Sequence, residues 1–196
     1  MYFSFKSFKP YVHSSSFVHP LAAITGCVRI GKNVYVGPFA ALRGDFGEIV
    51  IEDGCNIQEH CMVHMFPGIT VHLEENVHVG HGAIIHGARI GRNSLVGMNS
   101  VIMDDCEIGE ECIVGAMSFI KERSNFGRRS LIVGNPAKKV KDVSDEMILW
   151  KTKGTELYQQ LAHDCLEHLK VTEPLREMPA DWKIPNGEFK SWRHRD

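Results

Sequence analysis

Three histidines could do chemistry by their type and spacing. His64 and His86 each follow an aliphatic residue, Val63 and Ile85, and lie 22 positions apart, while His81 stands five positions before His86 in the run V-G-H-G-A-I-I-H-G. Three imidazoles around one divalent ion, with a coordination position left open, make a catalytic rather than a structural zinc site. Water in that position loses a proton near neutral pH and becomes a hydroxide nucleophile. One histidine alone is more often a surface or core residue. Two in register with a third beside them weaken that reading sharply. The chain has 11 histidines. His60, His72 and His78 compete as ligands but share no column with His64; with His13, His19, His163, His168 and His194 they read as solvent-facing.

The elements that must position these residues follow from a six-residue period. Aliphatic residues recur at Val18, Ile24, Ile30, Val36 and Leu42, then after a slip at Ile51, Ile57 and Val63, then at Val79 and Ile85, and again from Ile90 through Val96, Ile102, Ile108, Val114 and Ile120. A small residue often sits four places later, as at Ala22, Val34, Ala40, Cys55, Cys61, Ala83, Ser94, Ser100, Cys106, Cys112 and Ser118. Six is a poor multiple of the helical repeat, so the pattern excludes an amphipathic helix. It fits a short strand plus a corner. Three such units close a triangular coil of about 18 residues, and coils stack like parallel strands. The aliphatic residue fills the interior and the small residues let the chain turn.

This period sets the relation among the histidines. One coil plus four residues separates His64 from His86, and the loop MFPGITVHLEEN absorbs the excess, so the two side chains stack in one column. Arg43, 21 residues before His64, joins that column across the slip at Gly44–Glu48. His81 belongs to a different face of the prism and reaches an ion shared with His64 and His86 only from the adjoining subunit of a symmetric trimer. The metal site is thus an expectation about assembly as well as chemistry.

The rest of the chain is read in outline. Residues 1–140 form the coil, 141–172 a C-terminal helix or helix pair packed on it, and 173–196 an extended tail. The repeat ends near Lys121, and SNFGRRSLIVGNPAKKV reads as a loop, a short strand and a turn at Gly134-Asn135-Pro136. Ser144 suits an N-cap, with Asp145 and Glu146 in the first turn. Leu157, Leu161, Cys165 and Leu169 make a stripe for packing on the coil or on a neighbouring subunit, and Gly154 is a candidate break. The 196 residues carry a net charge of −2. That excludes the basic excess of a nucleic-acid binder, and no apolar run is long enough to span a membrane. The start, MYFSFKSFKP, lacks the pattern of a secretory signal, so the expected location is the cytoplasm, with six cysteines as free thiols. Cys55, Cys61, Cys106 and Cys112 occupy the small-residue position and read as packing residues.

The set Arg43-Gly44-Asp45, Asn56-Ile57-Gln58, His64, His81 and His86 resembles the γ-class carbonic anhydrase-like hexapeptide-repeat family, over about residues 10 to 140. The resemblance implies a mostly β fold, a left-handed parallel β-helix with a C-terminal α-helix. It implies a homotrimer with zinc, or alternatively iron or cobalt, bound by His64 and His86 of one subunit and His81 of the next. Arg43 and Asp45 would pair across the interface and Gln58 would orient the metal-bound hydroxide or the substrate. Without the resemblance Arg43 and Asp45 are a solvated loop pair and Gln58 a polar strand position. R-G-D-F-G, V-G-M-N-S-V-I-M-D, V-S-D-E and E-P-L-R-E extend the likeness to the phenylacetate-degradation and carnitine-operon branch across nearly the whole chain. The phenylacetate branch implies hydrolysis of coenzyme A thioesters.

Two departures from the prototype bear on the reaction. Phe46 stands where an acid follows the R-x-D motif, and the acidic loop after the first ligand is reduced to Met65-Phe66-Pro67-Gly68. Rapid CO₂ hydration needs a proton carried from the metal-bound water to solvent, and nothing in the sequence aims Glu74 or Glu75 at the metal. Three functions remain: a metal-hydroxide enzyme acting on CO₂ or a small acyl thioester; a coenzyme A-dependent acyltransferase with His86 as general base; and a non-catalytic assembly or regulatory protein. The small-molecule substrate of the first is left open by the ligands, which serve either carbon electrophile.

Overall fold

An aliphatic residue at every sixth position needs an apolar partner above and below it, and parallel stacking supplies both. The computed structural model describes residues 1–185, 189–190 and 192. Its body is a parallel β-helix built of three ladders. On the first face Ile24, Leu42, Val63, Ile85, Ile102 and Ile120 lie in register, all fully buried. On the second, Val18, Val36, Ile57, Val79, Val96, Val114 and Ile132 lie in register, all fully buried except the partly buried Val18. The third runs from Val12 through Ile30, Ile51, Leu73, Ile90 and Ile108 to Phe126. Burial of each such side chain stabilises the coil by about 1.5–3 kcal/mol.

The corners obey the same period. Asn93, Asn99, Asp105, Glu111, Met117, Arg123 and Arg129 all have φ between 53° and 60°, a left-handed conformation that Asn and Asp tolerate best. The small residues do more than fit. Ser94 Oγ donates to Gly109 O at 2.8 Å, Ser100 Oγ to Gly115 O at 2.9 Å and Cys106 Sγ to Lys121 O at 2.9 Å, so each satisfies a corner carbonyl on the next coil. Burial pushes the Cys55 thiol up to about 12 and Cys61 to about 11. Both therefore stay protonated and pack as small hydrophobes, as their repeat position implies.

Two long strands, Ala23–Ile30 and Ala41–Ile51, bend round a corner and join the first face to the third. Their register shifts between Gly26 and Val28. The backbones touch here: a Cβ on Gly26 would lie 2.4 Å from Gly44 O, and one on Gly44 2.3 Å from Cys27 O. Glycine is required on both strands, and this close approach holds Arg43 and Asp45 on either side of Gly44.

The repeat does not end near Lys121. Phe126 pairs below Ile108 and Ile132 below Val114, carrying the coil further. An aromatic in the aliphatic position hid the sixth-residue rhythm. Ser130–Gly134 then turns back through Asn135 and Pro136 into Ala137–Asp142, an antiparallel strand. Its Lys138, Lys139 and Lys141 make a charged sheet edge that resists pairing with another chain.

Helix α1 (Asp145–His168) is continuous, so Gly154 breaks nothing. Ser144 Oγ accepts the Met147 N–H as N-cap. Glycine inside a helix costs about 1 kcal/mol, and docking on the second face outweighs it. The docked stripe is not the leucine stripe. Lys151, Thr155 and Ala162 are buried, Tyr158 and Cys165 pack with Phe17 and Tyr35, and Leu157, Leu161 and Leu169 are exposed. Gln159 Nε2 donates to Gly54 O at 3.1 Å and Asn76 Oδ1 at 2.9 Å. Lys151 Nζ donates to Asn93 Oδ1 at 2.7 Å and to Asn76 O. Polar side chains thus carry much of this interface. The described residues of the tail between 169 and 190 form no regular strand or helix, but Phe189 stacks on Trp150, whose Nε1 donates to Lys190 O at 3.1 Å. Among the described residues no helix is long and apolar enough to cross a membrane. His194 lies outside the described residues.

Candidate functional site

Strands Met62–His64 and Ile84–His86 lie side by side on the first face, with His64 paired to His86 in register. Their rings are 5.3 Å apart between centroids. The expected column is therefore real within one chain. Leu42 pairs with Val63, which sets Arg43 beside His64. Arg43 Nη2 is 2.8 Å from His64 Nε2, Asp45 Oδ1 is 2.9 Å from the same nitrogen, and Arg43 Nε is 3.3 Å from Asp45 Oδ2. Within the chain Arg43 and Asp45 pair with each other and with His64. One ring nitrogen carries a lone pair or a hydrogen, so it answers either the guanidinium or the carboxylate at one time. Burial alone would raise the Asp45 carboxyl, but the hydrogen bond with His64 and the Arg43 charge hold it below its ordinary value.

His81 sits at the corner after His78–Val79, five residues from His86, on the order of 15 Å of extended chain. Among the described residues no group of three or more His, Cys, Asp or Glu side chains converges to hold a metal within the single chain. His81 belongs elsewhere than the His64–His86 pair, as the period requires.

Each of the three imidazoles nevertheless has a carboxylate. Asp104 Oδ1 lies 2.7 Å from His86 Nδ1, Glu59 Oε2 2.5 Å from His81 Nδ1, and Asp45 serves His64. With Nδ1–H donating to a carboxylate, the tautomer is fixed and Nε2 is the lone-pair nitrogen on His81 and His86. Asp104 and Glu59 were not legible as site residues. The signal was present for Asp104, which stands 18 residues after His86, one coil on. Gly87 makes room for it, since a Cβ there would lie 2.4 Å from Asp104 Oδ1. Glu59 also accepts from the Tyr35 hydroxyl at 3.0 Å. Burial raises its carboxyl, but its own backbone N–H, Tyr35 and His81 together hold it below the usual range.

Gln58 is buried beneath His81. Its Oε1 accepts the His81 backbone N–H at 3.2 Å, while Nε2 donates to Asn56 Oδ1 at 3.0 Å and His78 Nε2 at 2.7 Å. His78 is therefore not solvent-facing. Its Nδ1 is buried without a hydrogen-bond partner, and the ring meets Tyr158 edge to face at 5.3 Å. Burial, with the charges of Lys151 and His81, drives its pKa down to about 3, so the ring stays neutral. His60, His163 and His168 are exposed as expected. His72 is half-buried on Glu52 at 2.6 Å, and His13 and His19 are half-buried with ring nitrogens engaged by Ser15 and Leu21.

Both departures from the prototype place a phenyl ring on a histidine. Phe46 lies 5.5 Å from His64 and Phe66 5.0 Å from His86, centroid to centroid. Glu74 is turned away onto Arg89 and the Arg92 N–H, and Glu75 is exposed.

A model of the bacterial transferase hexapeptide (six repeats) family matches residues 87–122. The chain is 48% identical over 177 residues to the carnitine operon protein CaiE of Escherichia coli O157:H7, covering 90% of each, and equally to that of Shigella dysenteriae serotype 1. Among solved structures, a hexapeptide transferase family protein from Anaplasma phagocytophilum superposes with a TM-score of 0.79 at 32% identity, covering 82% of this chain and 95% of that one. The product of the Bacillus cereus BC4754 gene gives 0.81 at 31% identity, covering 83% and 94%. AntD, an N-acyltransferase from Bacillus cereus, shares the fold alone, at 18% identity and a TM-score of 0.59, covering 71% of this chain and 87% of that one. The chain belongs to the hexapeptide-repeat family, in the γ-carbonic anhydrase-like branch of the carnitine operon protein CaiE.

Proposed function

We propose that the protein is a metal-dependent enzyme working as a homotrimer in the cytoplasm, with His64 and His86 of one subunit and His81 of the next sharing a divalent ion. Zinc is the first choice, with iron or cobalt as alternatives. Its reaction is the hydrolysis of a small acyl-coenzyme A thioester, of the phenylacetate-degradation type, or the hydration of CO₂. One observation carries the reading: Glu59 and Asp104 brace His81 and His86 through Nδ1, which leaves Nε2 for an ion, while Asp45 marks the His64 Nε2 beside them, although the three rings do not meet in one chain. Neutral imidazoles braced by carboxylates are the donor set of a catalytic zinc site.

A zinc ion in such a site lowers the pKa of its water towards 7 and so supplies a nucleophile at neutral pH. Asp104 and Glu59 hold the His86 and His81 rings with Nε2 presented. Were His64 Nε2 to hold the ion, Arg43 would keep its pairing with Asp45, with Nε 3.3 Å from Oδ2. Phe46 and Phe66 lie against the pair of rings. In thioester hydrolysis water gives its oxygen to the acyl carbon, the carbon–sulfur bond breaks, and the water proton ends on the departing thiolate. Exposed Met62 and Ile84 lie beside the paired histidines, outward on the same strands, and suit burial against a second subunit. Six unpaired cysteines suit a reducing compartment.

The test is one preparation measured for trimer mass, metal content, CO₂ hydration and hydrolysis of an acyl-coenzyme A panel, before and after chelation. The proposal expects bound metal and a chelator-sensitive activity. No metal uptake on reconstitution would overturn it. Solved relatives described as transferases favour acyl transfer as a second reading, in which His86 is a general base; a metal-independent activity that survives His64→Ala would support that instead.

A further inference from the structure

A cavity of about 590 Å³ lies between helix α1 and the second face of the coil. Its floor is Leu95 and Ile113 on the sheet, its roof Trp150 and Leu157 on the helix, and one end is formed by His81 and Gln58. The described tail adds Phe189 and Trp192 to the wall. We infer that this cavity is the acyl subsite of a thioester substrate, taking an uncharged medium-chain or aromatic acyl group with its carbonyl at the His81 end.

The inference rests on the thioester arm of the proposed function and deepens it. Continuity is the first ground. The cavity's walls include the same His81 that is proposed to hold the metal, so an acyl carbon reaching the ion has its tail directed under the helix. Size is the second. Ligand pockets of about 300–1,000 Å³ enclose drug-sized molecules, whereas CO₂ needs only a small part of that space. Chemistry is the third. Among the described residues no carboxylate lines the cavity, and its ammonium group, Lys151 Nζ, is turned onto Asn76 O and Asn93 Oδ1. Nothing in the wall recognises a charged tail, while indole, phenyl and aliphatic surfaces favour an apolar one. Gly80, Gly97 and Gly115 border the cavity beside His81. Side chains are excluded there by the coil itself, since a Cβ on Gly97 would lie 2.5 Å from Ala116 N. The passage from the metal end to the floor is therefore kept open by the fold.

The experiment uses the full chain loaded with zinc. Trp150 and Trp192 report occupancy by intrinsic fluorescence on titration with hexanoate, benzoate and acetate. Hexanoate and benzoate are expected to give saturable changes and acetate none. Ile113→Phe fills the floor, and Leu157→Phe, at a half-exposed helix position whose packing the fold does not need, fills the roof. Either is expected to weaken hexanoate binding about tenfold and to lower the ratio of hexanoyl- to acetyl-coenzyme A hydrolysis about tenfold. Thioester hydrolysis whose chain-length ratio is indifferent to both variants overturns the subsite. Hexanoate binding that the variants weaken, in a protein without metal or thioesterase activity, overturns the proposed reaction and leaves the cavity standing as an acyl-binding site.

Discussion

The second and first faces of the coil are built on the same ladders and finished differently. The second is covered by helix α1, and several of its polar groups find partners in the chain: Lys151 on Asn76 and Asn93, Gln159 on Gly54, and Gln58 on Asn56 and His78. The first keeps Met62 and Ile84 exposed and carries the paired His64 and His86. Asp104 supports His86 through Nδ1 and Asp45 engages His64 Nε2, and among the described residues no third imidazole joins the pair. The proposed trimer would cover this open face with a second copy of the chain.

The shared interior of the coil gives the largest expected effect. Ile102→Ala, in the fully buried row behind His86, should lower the unfolding free energy by about 2–5 kcal/mol in a denaturant titration. Both faces should suffer, so metal content should fall with stability. A charge on the open face separates them. Ile84→Glu should leave the circular dichroism of the coil intact while light scattering reports monomers instead of trimers; a persistent trimer would place the interface elsewhere. Asp104→Asn keeps the shape but loses the carboxylate behind His86, and zinc affinity should fall about 10–100-fold with little change in stability.

The covered face should be visible in the pH dependence of stability. Lys151 is held down to about 7 by burial against an ordinary 10.5, and His78 to about 3 against 6.5. In both the unfolded chain binds a proton that the folded chain refuses, so stability rises with pH from about 3 to 6.5 through His78 and from about 7 to 10.5 through Lys151. His78→Leu should flatten the first slope and Lys151→Met the second in unfolding midpoints measured across pH. Lys151→Met also strands the Asn76 carbonyl and should cost about 1–3 kcal/mol. The smallest effect belongs to the exposed leucines: Leu169→Ala should shift the same measurement by less than about 0.5 kcal/mol.

The contrast also explains what the sequence made legible. The interior of the coil was readable because its aliphatics repeat in one dimension, and His64, His86 and Arg43 were readable as positions in that repeat. The coil's last turn was missed because Phe126 replaced an aliphatic residue. The coil-facing stripe of the helix was misread for a similar reason, since, of Leu157, Leu161, Cys165 and Leu169, Cys165 packs there while the three leucines are exposed. Lys151 and Thr155 occupy the buried stripe and Leu157 and Leu161 the exposed one, so hydropathy pointed one position away from the true contact. His78 was placed in solvent because its burial depends on Tyr158, 80 residues later. The Phe46 and Phe66 contacts with the histidines depend on loop conformation, which no period encodes.

The central claim is that one metal site is divided between subunits, and complementation tests it most directly. His64→Ala and His81→Ala chains are each prepared without metal, mixed, dissociated, reassembled as trimers and assayed for bound zinc. The account predicts that neither parent binds zinc and that mixed trimers regain it, at interfaces where an intact His64–His86 pair meets an intact His81. Mixed trimers that bind no more zinc than the parents would contradict it.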